Sequence, residues 1–326
     1  MHKSIAIVGA VLIGVLSVSA QDADKAGVAV KSGQKIAFLG DSITAGGMSP
    51  AGYVMLTVAG LKANGIDASA IGAGISGHKS NDMLARLGRD VISRKPDWMT
   101  LSCGVNDVWH GANGVALEQY KSNITAIVDQ TQAAGIKVMI LTATVIKEDL
   151  NNSENQKLAA YNDFLRGLAK EKKCLLADLN ANFQTAIKAK TKPENALTVD
   201  GVHMNLHGNQ LMAKGILGAF GLDAAQMAKA EDGWLDIPGT FDASPMLQGT
   251  LKLSQRQQQH LETIASKYGL TVEQAARLLY AAPALGGVPG TTAADVEAFL
   301  SKNAKENPAS VMQNSLTNAI TVLLGK

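Results

Sequence analysis

The chain has 326 residues, 46% hydrophobic and 18% charged, which suits one large domain with a sizeable core, or such a domain with a small companion. A formal charge of +2 is too small to mark nucleic acid or an anionic membrane surface as a partner. Aromatic residues make up only 4%, which argues against a base-stacking surface or an aromatic-lined carbohydrate-binding module.

The first 20 residues read as a cleaved export leader. Met1, His2 and Lys3 form a short positive start, Ile5 to Val18 carry no charge, and Val18-Ser19-Ala20 supplies small residues for cleavage. The apolar run is short for a membrane span, and acidic, polar sequence follows it directly. Residues 21–32 read as an N-terminal linker. From residue 33 to about 222, apolar strand-like runs at 35–39, 66–71, 97–103, 136–142 and 173–178 alternate with helical periodicity. The helical stretches fall near 50–63, 80–94, 117–133, 153–171 and 205–220. Runs 97–103 and 136–142 are almost continuously apolar, as strands covered on both faces must be. This alternation predicts an α/β fold with a doubly wound parallel sheet, whose ligands bind outside the carboxyl ends of the strands.

The pattern changes after Asp223. Residues 223–253, with "EDGWLDIPGTFDASPMLQGT", read as a linker, and 254–326 as an all-helical C-terminal region. Its helices are expected from Ser254 to Tyr268, from Thr271 to about Ala281, from Thr292, and over 309–324. Cys103 ends one predicted strand and Cys174 begins another. In parallel strands their sulfurs lie near opposite ends, ~20 Å apart along the strand direction, too far for a disulfide. Both are expected as buried free thiols.

Four short blocks carry chemistry, each just after a predicted strand or in the last loop. Strand 35–39 runs into Gly40-Asp41-Ser42, so a hydroxyl sits where this kind of sheet places its ligands. "GISG" follows strand 66–71, and Gly77 offers an N–H unhindered by a side chain. "GVND" follows strand 97–103 and brings the Asn106 amide to the same edge. "DGVH" puts Asp200 and His203 just before the last helix of the sheet. Singly, each reads as turn or cap chemistry. A G-x-S-x-G elbow of the α/β-hydrolase kind fits poorly, because position 44 is Thr and Ser42 follows the first strand.

Together and in this order, the blocks resemble the SGNH (GDSL-type) hydrolase family of serine esterases and lipases. The resemblance spans about residues 33–222. The first block has Ile43-Thr44 where the family name has Leu, and Met204 replaces a common Pro or Leu; neither touches a catalytic atom. The resemblance implies a flavodoxin-like five-stranded parallel sheet, with Ser42 as nucleophile, His203 as general base and Asp200 holding the imidazole. The N–H groups of Ser42 and Gly77 and the Asn106 amide would form the oxyanion hole. His78, Trp109 and His110 are candidate substrate contacts, and Asp41 and Asp107 are expected to brace the loops. No cofactor is implied, and no His/Cys/acid cluster has metal-ligand spacing. The expected partner is a small-molecule or glycan ester, not nucleic acid, and the chain is not expected to be integral to a membrane. The favoured reading is an exported, secreted or periplasmic esterase removing acetyl groups from carbohydrate. A lysophospholipase or thioesterase acting on lipid, and a non-catalytic glycan-binding protein on the same fold, are the alternatives.

Overall fold

A computed structural model describes residues 27–189, 196–235 and 255–269, with 237, 240, 271, 272 and 298. The expected leader at 1–20 and nearly all of the helices expected beyond Thr271 lie outside these residues.

Five parallel strands form one sheet in the order β2-β1-β3-β4-β5. They are β1 (Lys35–Gly40), β2 (Ser69–Gly74), β3 (Trp98–Ser102), β4 (Lys137–Leu141) and β5 (Leu175–Ala177). Every residue of β3 is buried, as is all of β1 and β4 except the leading lysines. Helices cover both faces, which explains the unbroken apolar runs. On one side α2 (Tyr53–Ala63) packs against α8 (Leu206–Ala219) and α9 (Ala224–Trp234), and α8 meets α7 (Leu179–Lys188). On the other, α3 (Ser80–Asp90) packs on α5 (Leu117–Ala133), and α5 on α6 (Ser153–Glu171). The chain leaves β1 for β2 on one side, then returns to place β3 on the other. This reversal opens a crevice at the carboxyl ends of β1 and β3.

Most strands fall where the periodicity puts them, but the second is displaced. The run 66–71 gives way to β2 at Ser69–Gly74, because the strand ends in small residues that lie beneath the turn after β1. A Cβ on Gly74 would run into the Ala45 backbone, and one on Gly72 would meet the Met48 side chain at 3.1 Å. Two short helices, α1 (Ser42–Gly46) and α4 (Val105–Trp109), begin almost directly after β1 and β3. Ser42 therefore opens a helix, where the first helical stretch was expected only near residue 50.

The packed body extends past both expected boundaries. Val28 and Val30, assigned to the linker 21–32, are buried, and the Ala29 N–H donates to the Phe220 carbonyl at 2.8 Å. The expected linker 223–253 begins with α9, capped by Asp223 and anchored by Trp234, whose indole donates to the Leu56 carbonyl at 2.8 Å. Helix α10 (Gln255–Tyr268) follows at the place expected for the first C-terminal helix. Both cysteines are free; Cys103 is buried, whereas Cys174 is only half-buried.

Candidate active site

The turn after β1 presents the hydroxyl. Asp41 caps α1 through its side chain, its Oδ1 accepting the Ile43 N–H at 2.9 Å. Ser42, at the first helical position, keeps an N–H with no intrahelical acceptor. Gly77 follows β2 with φ +76°, a backbone conformation that favours glycine, and it is exposed. Its N–H, like that of Ser42, has no acceptor among the described residues.

Asp200 and His203 come to the same place from one loop. His203 Nε2 lies 2.9 Å from Ser42 Oγ, and His203 Nδ1 lies 2.6 Å from Asp200 Oδ2. The other Asp200 oxygen accepts the N–H groups of Val202 (2.9 Å) and His203 (2.8 Å). Burial pushes the Asp200 carboxyl up, but the His203 ring and these two N–H donors outweigh it and hold it below the usual range. Asp200 thus stays ionised, its Oδ2 accepting the hydrogen bond from Nδ1–H and leaving Nε2 to accept from the serine.

Asn106 opens toward the same point from α4, with a difference from the expectation. Its amide already donates to the His78 carbonyl at 3.2 Å and, more loosely, to Asp41 Oδ2 at 3.4 Å. One amide therefore ties together the segments that carry Ser42, Gly77 and Asn106. Asp41 and Asp107 do brace these segments. Asp107 Oδ1 accepts the Ser80 N–H at the start of α3 (3.0 Å). Both carboxyls are buried, and burial raises both pKa values, Asp41 to about 6.

Two residues that the motifs do not contain hold the site. Arg86, 5% exposed, donates to the carbonyls of Gly40 and Ala73 (both 2.8 Å), to Asp90 (2.9 Å) and to His78 Nδ1 (3.1 Å). Its signal was a charge on the core stripe of α3, alongside buried Met83 and Leu87. Glu148 accepts the N–H groups of Ala196, Leu197 and Thr198 and the Thr198 hydroxyl, all at 2.7–2.8 Å, just before the Asp200–His203 loop. Its partners lie some 50 residues downstream, so no local pattern marks it. Trp109 and His110 sit one turn beyond Asn106 with their rings 6.3 Å apart and make no hydrogen bond to the triad. Among the described residues no group of three His, Cys, Asp or Glu side chains is placed to hold a metal ion.

A parallel sheet in this order, with serine, histidine and aspartate joined by hydrogen bonds over its carboxyl edge, defines an SGNH-type hydrolase. The family profile of the GDSL-like Lipase/Acylhydrolase family matches residues 38–211, and the chain belongs to that family. It is a carboxylic ester hydrolase. The acetylxylan esterase of Geobacillus stearothermophilus is 28% identical over 214 residues, covering 60% of this chain and 97% of that protein. The crystal structure of the acetyl xylan esterase AlAXEase superposes with a TM-score of 0.54 at 34% identity, over 57% of this chain and 98% of the other. LAE5, an enzyme from the metagenome of Lake Arreo, Spain, superposes with a TM-score of 0.55 at 28% identity, over 60% and 98% of the two chains.

Proposed function

We propose that this protein is an exported esterase that removes acetyl groups from carbohydrate through an acyl-enzyme on Ser42. The observation that carries the mechanism is the continuous hydrogen-bond chain from Ser42 through His203 to Asp200. His203 Nε2 takes the hydroxyl proton as Oγ bonds to the ester carbonyl carbon. The tetrahedral oxyanion is met by the Ser42 and Gly77 N–H groups and by the Asn106 amide, which exchanges its long contact with Asp41 for the new charge. Collapse breaks the bond to the alcohol, which leaves with the proton from His203. Water then repeats the sequence on the acyl-serine and releases the acid.

Export rests on the positive start, apolar core and Val18-Ser19-Ala20 end of the leader. Two things support a carbohydrate ester over a lipid. Two of the three relatives named above are acetylxylan esterases, and the triad is open, with the His203 and Asp200 side chains 41% and 47% exposed. An open site admits a bulky polymer, whereas a long acyl chain needs an apolar enclosure. A panel of p-nitrophenyl esters, with acetate release from acetylated xylo-oligosaccharide, tests the reading. Acetate is the preferred acyl group and glycan acetate is released; preference for C8 or longer chains contradicts the carbohydrate assignment.

A further inference from the structure

Beside the anion-holding corner lies a second cleft of about 320 Å³, lined by His78, Asp82, Ala85, Arg86 and Arg89. Its position relative to the serine is fixed by hydrogen bonds. His78 follows Gly77 directly, its carbonyl accepts the Asn106 amide, and Arg86 holds the Gly40 carbonyl two residues before Ser42. Arg86 also sets the state of the imidazole. A guanidinium only donates, so its 3.1 Å bond to His78 Nδ1 requires a lone pair there and places the ring proton on Nε2. Burial and the Arg86 charge both lower the His78 pKa, which keeps the ring neutral at pH 7. The Nε2–H has no acceptor among the described residues.

The chemistry of the walls selects the ligand. Among the described lining residues Ala85 is the only apolar side chain; the rest are a fixed imidazole donor, an Asp82 carboxylate that only accepts, the buried Arg86 and the Arg89 guanidinium, 73% exposed and paired with Asp90. Such a lining does not suit an alkyl chain, and it matches a neutral, hydroxyl-rich unit that both donates and accepts. An acetyl group ends one carbon beyond the reacting carbonyl. Whatever of an acetyl ester reaches past Gly77 is therefore its alcohol part.

We propose that this cleft is a glycosyl subsite for the alcohol side of the ester, in which His78 donates its Nε2–H to a sugar oxygen. The inference rests on the carbohydrate-esterase reading, and the experiment separates the two. Turnover of p-nitrophenyl acetate is measured with unacetylated xylotriose as competitor, in the wild type, His78→Ala and Ala85→Trp. Both changes lie on half-buried or exposed positions, so melting temperatures confirm that the variants fold. Xylotriose inhibits the wild type competitively, its inhibition constant rises about fivefold or more in His78→Ala, and inhibition is lost in Ala85→Trp. With acetylated xylo-oligosaccharide as substrate, His78→Ala raises KM by a similar factor and leaves kcat within about threefold. Absence of inhibition in the wild type, or constants equal within twofold in all three proteins, overturns the subsite. Failure of the wild type to deacetylate the oligosaccharide, with xylotriose still inhibiting, overturns the substrate reading and leaves the subsite standing.

Discussion

At the scale of single residues, the ionisation of Asp41 is the most exposed consequence of the site's construction. This carboxyl is 3% exposed, and burial lifts its pKa from 3.8 to about 6. A raised carboxyl binds its proton more tightly when folded than when unfolded. Its contribution to stability is full below pH ~4 and is lost as pH rises through about 6, a swing of up to about 3 kcal/mol. Asn at this position keeps a side-chain oxygen for the Ile43 N–H and removes the titration. Melting temperatures between pH 4 and 7 should therefore show the wild type losing ground to Asp41→Asn as pH rises; parallel curves would contradict the buried charge. That Ser42, His203 and Asp200 meet was legible in the sequence because their blocks follow the first strand and fall in the loop before the last helix of the sheet, in the order the family resemblance implies. Arg86 and Glu148 were not, since what defines them is the set of backbone carbonyls and N–H groups they meet from distant segments.

Among the elements, the segment after β4 does the least obvious work. Asp200 and His203 sit in no regular helix or strand, so something must hold their loop to within hydrogen-bond tolerance of Ser42. The Glu148 carboxylate does this by gathering three consecutive N–H groups and a hydroxyl, while the Lys147 N–H donates to the Gly201 carbonyl at 2.6 Å. The start of α6 fixes this segment in turn, with the Asn155 side chain accepting the Ile146 N–H at 2.8 Å. Glu148→Ala should lower kcat by about 10–100-fold with KM for p-nitrophenyl acetate little changed, and should lower stability by about 1–3 kcal/mol. Glu148→Gln, which keeps one accepting oxygen, should fall between the two. An unchanged kcat in Glu148→Ala would show that the loop holds itself. Elements were legible wherever apolar periodicity dominated, as in α5 and α6, whose bounds match the expected ones. They were missed where size or capping decides: β2 ends in Gly and Ala beneath α1, and α7 starts on the Asp178 cap.

Across the whole molecule, the sheet order brings together blocks separated by up to 161 residues in the chain. Alternation of strand and helix foretold a parallel, doubly wound sheet, and the position of three of the four blocks just after strands foretold the edge at which they meet. The limits of the body were less legible, because the residues that seal it, Val30 and Trp234, lie in stretches whose polar and glycine neighbours mask a core contact. The central claim is that Ser42 is the nucleophile, activated by His203 over this edge. Its most direct test is intact-mass spectrometry after reaction with a fluorophosphonate, on the wild type, Ser42→Ala and His203→Ala. The wild type should give one adduct mapping to Ser42, Ser42→Ala none, and His203→Ala a sharply reduced labelling rate. A wild type that stays unlabelled, or a Ser42→Ala protein that still labels and hydrolyses esters, would contradict it.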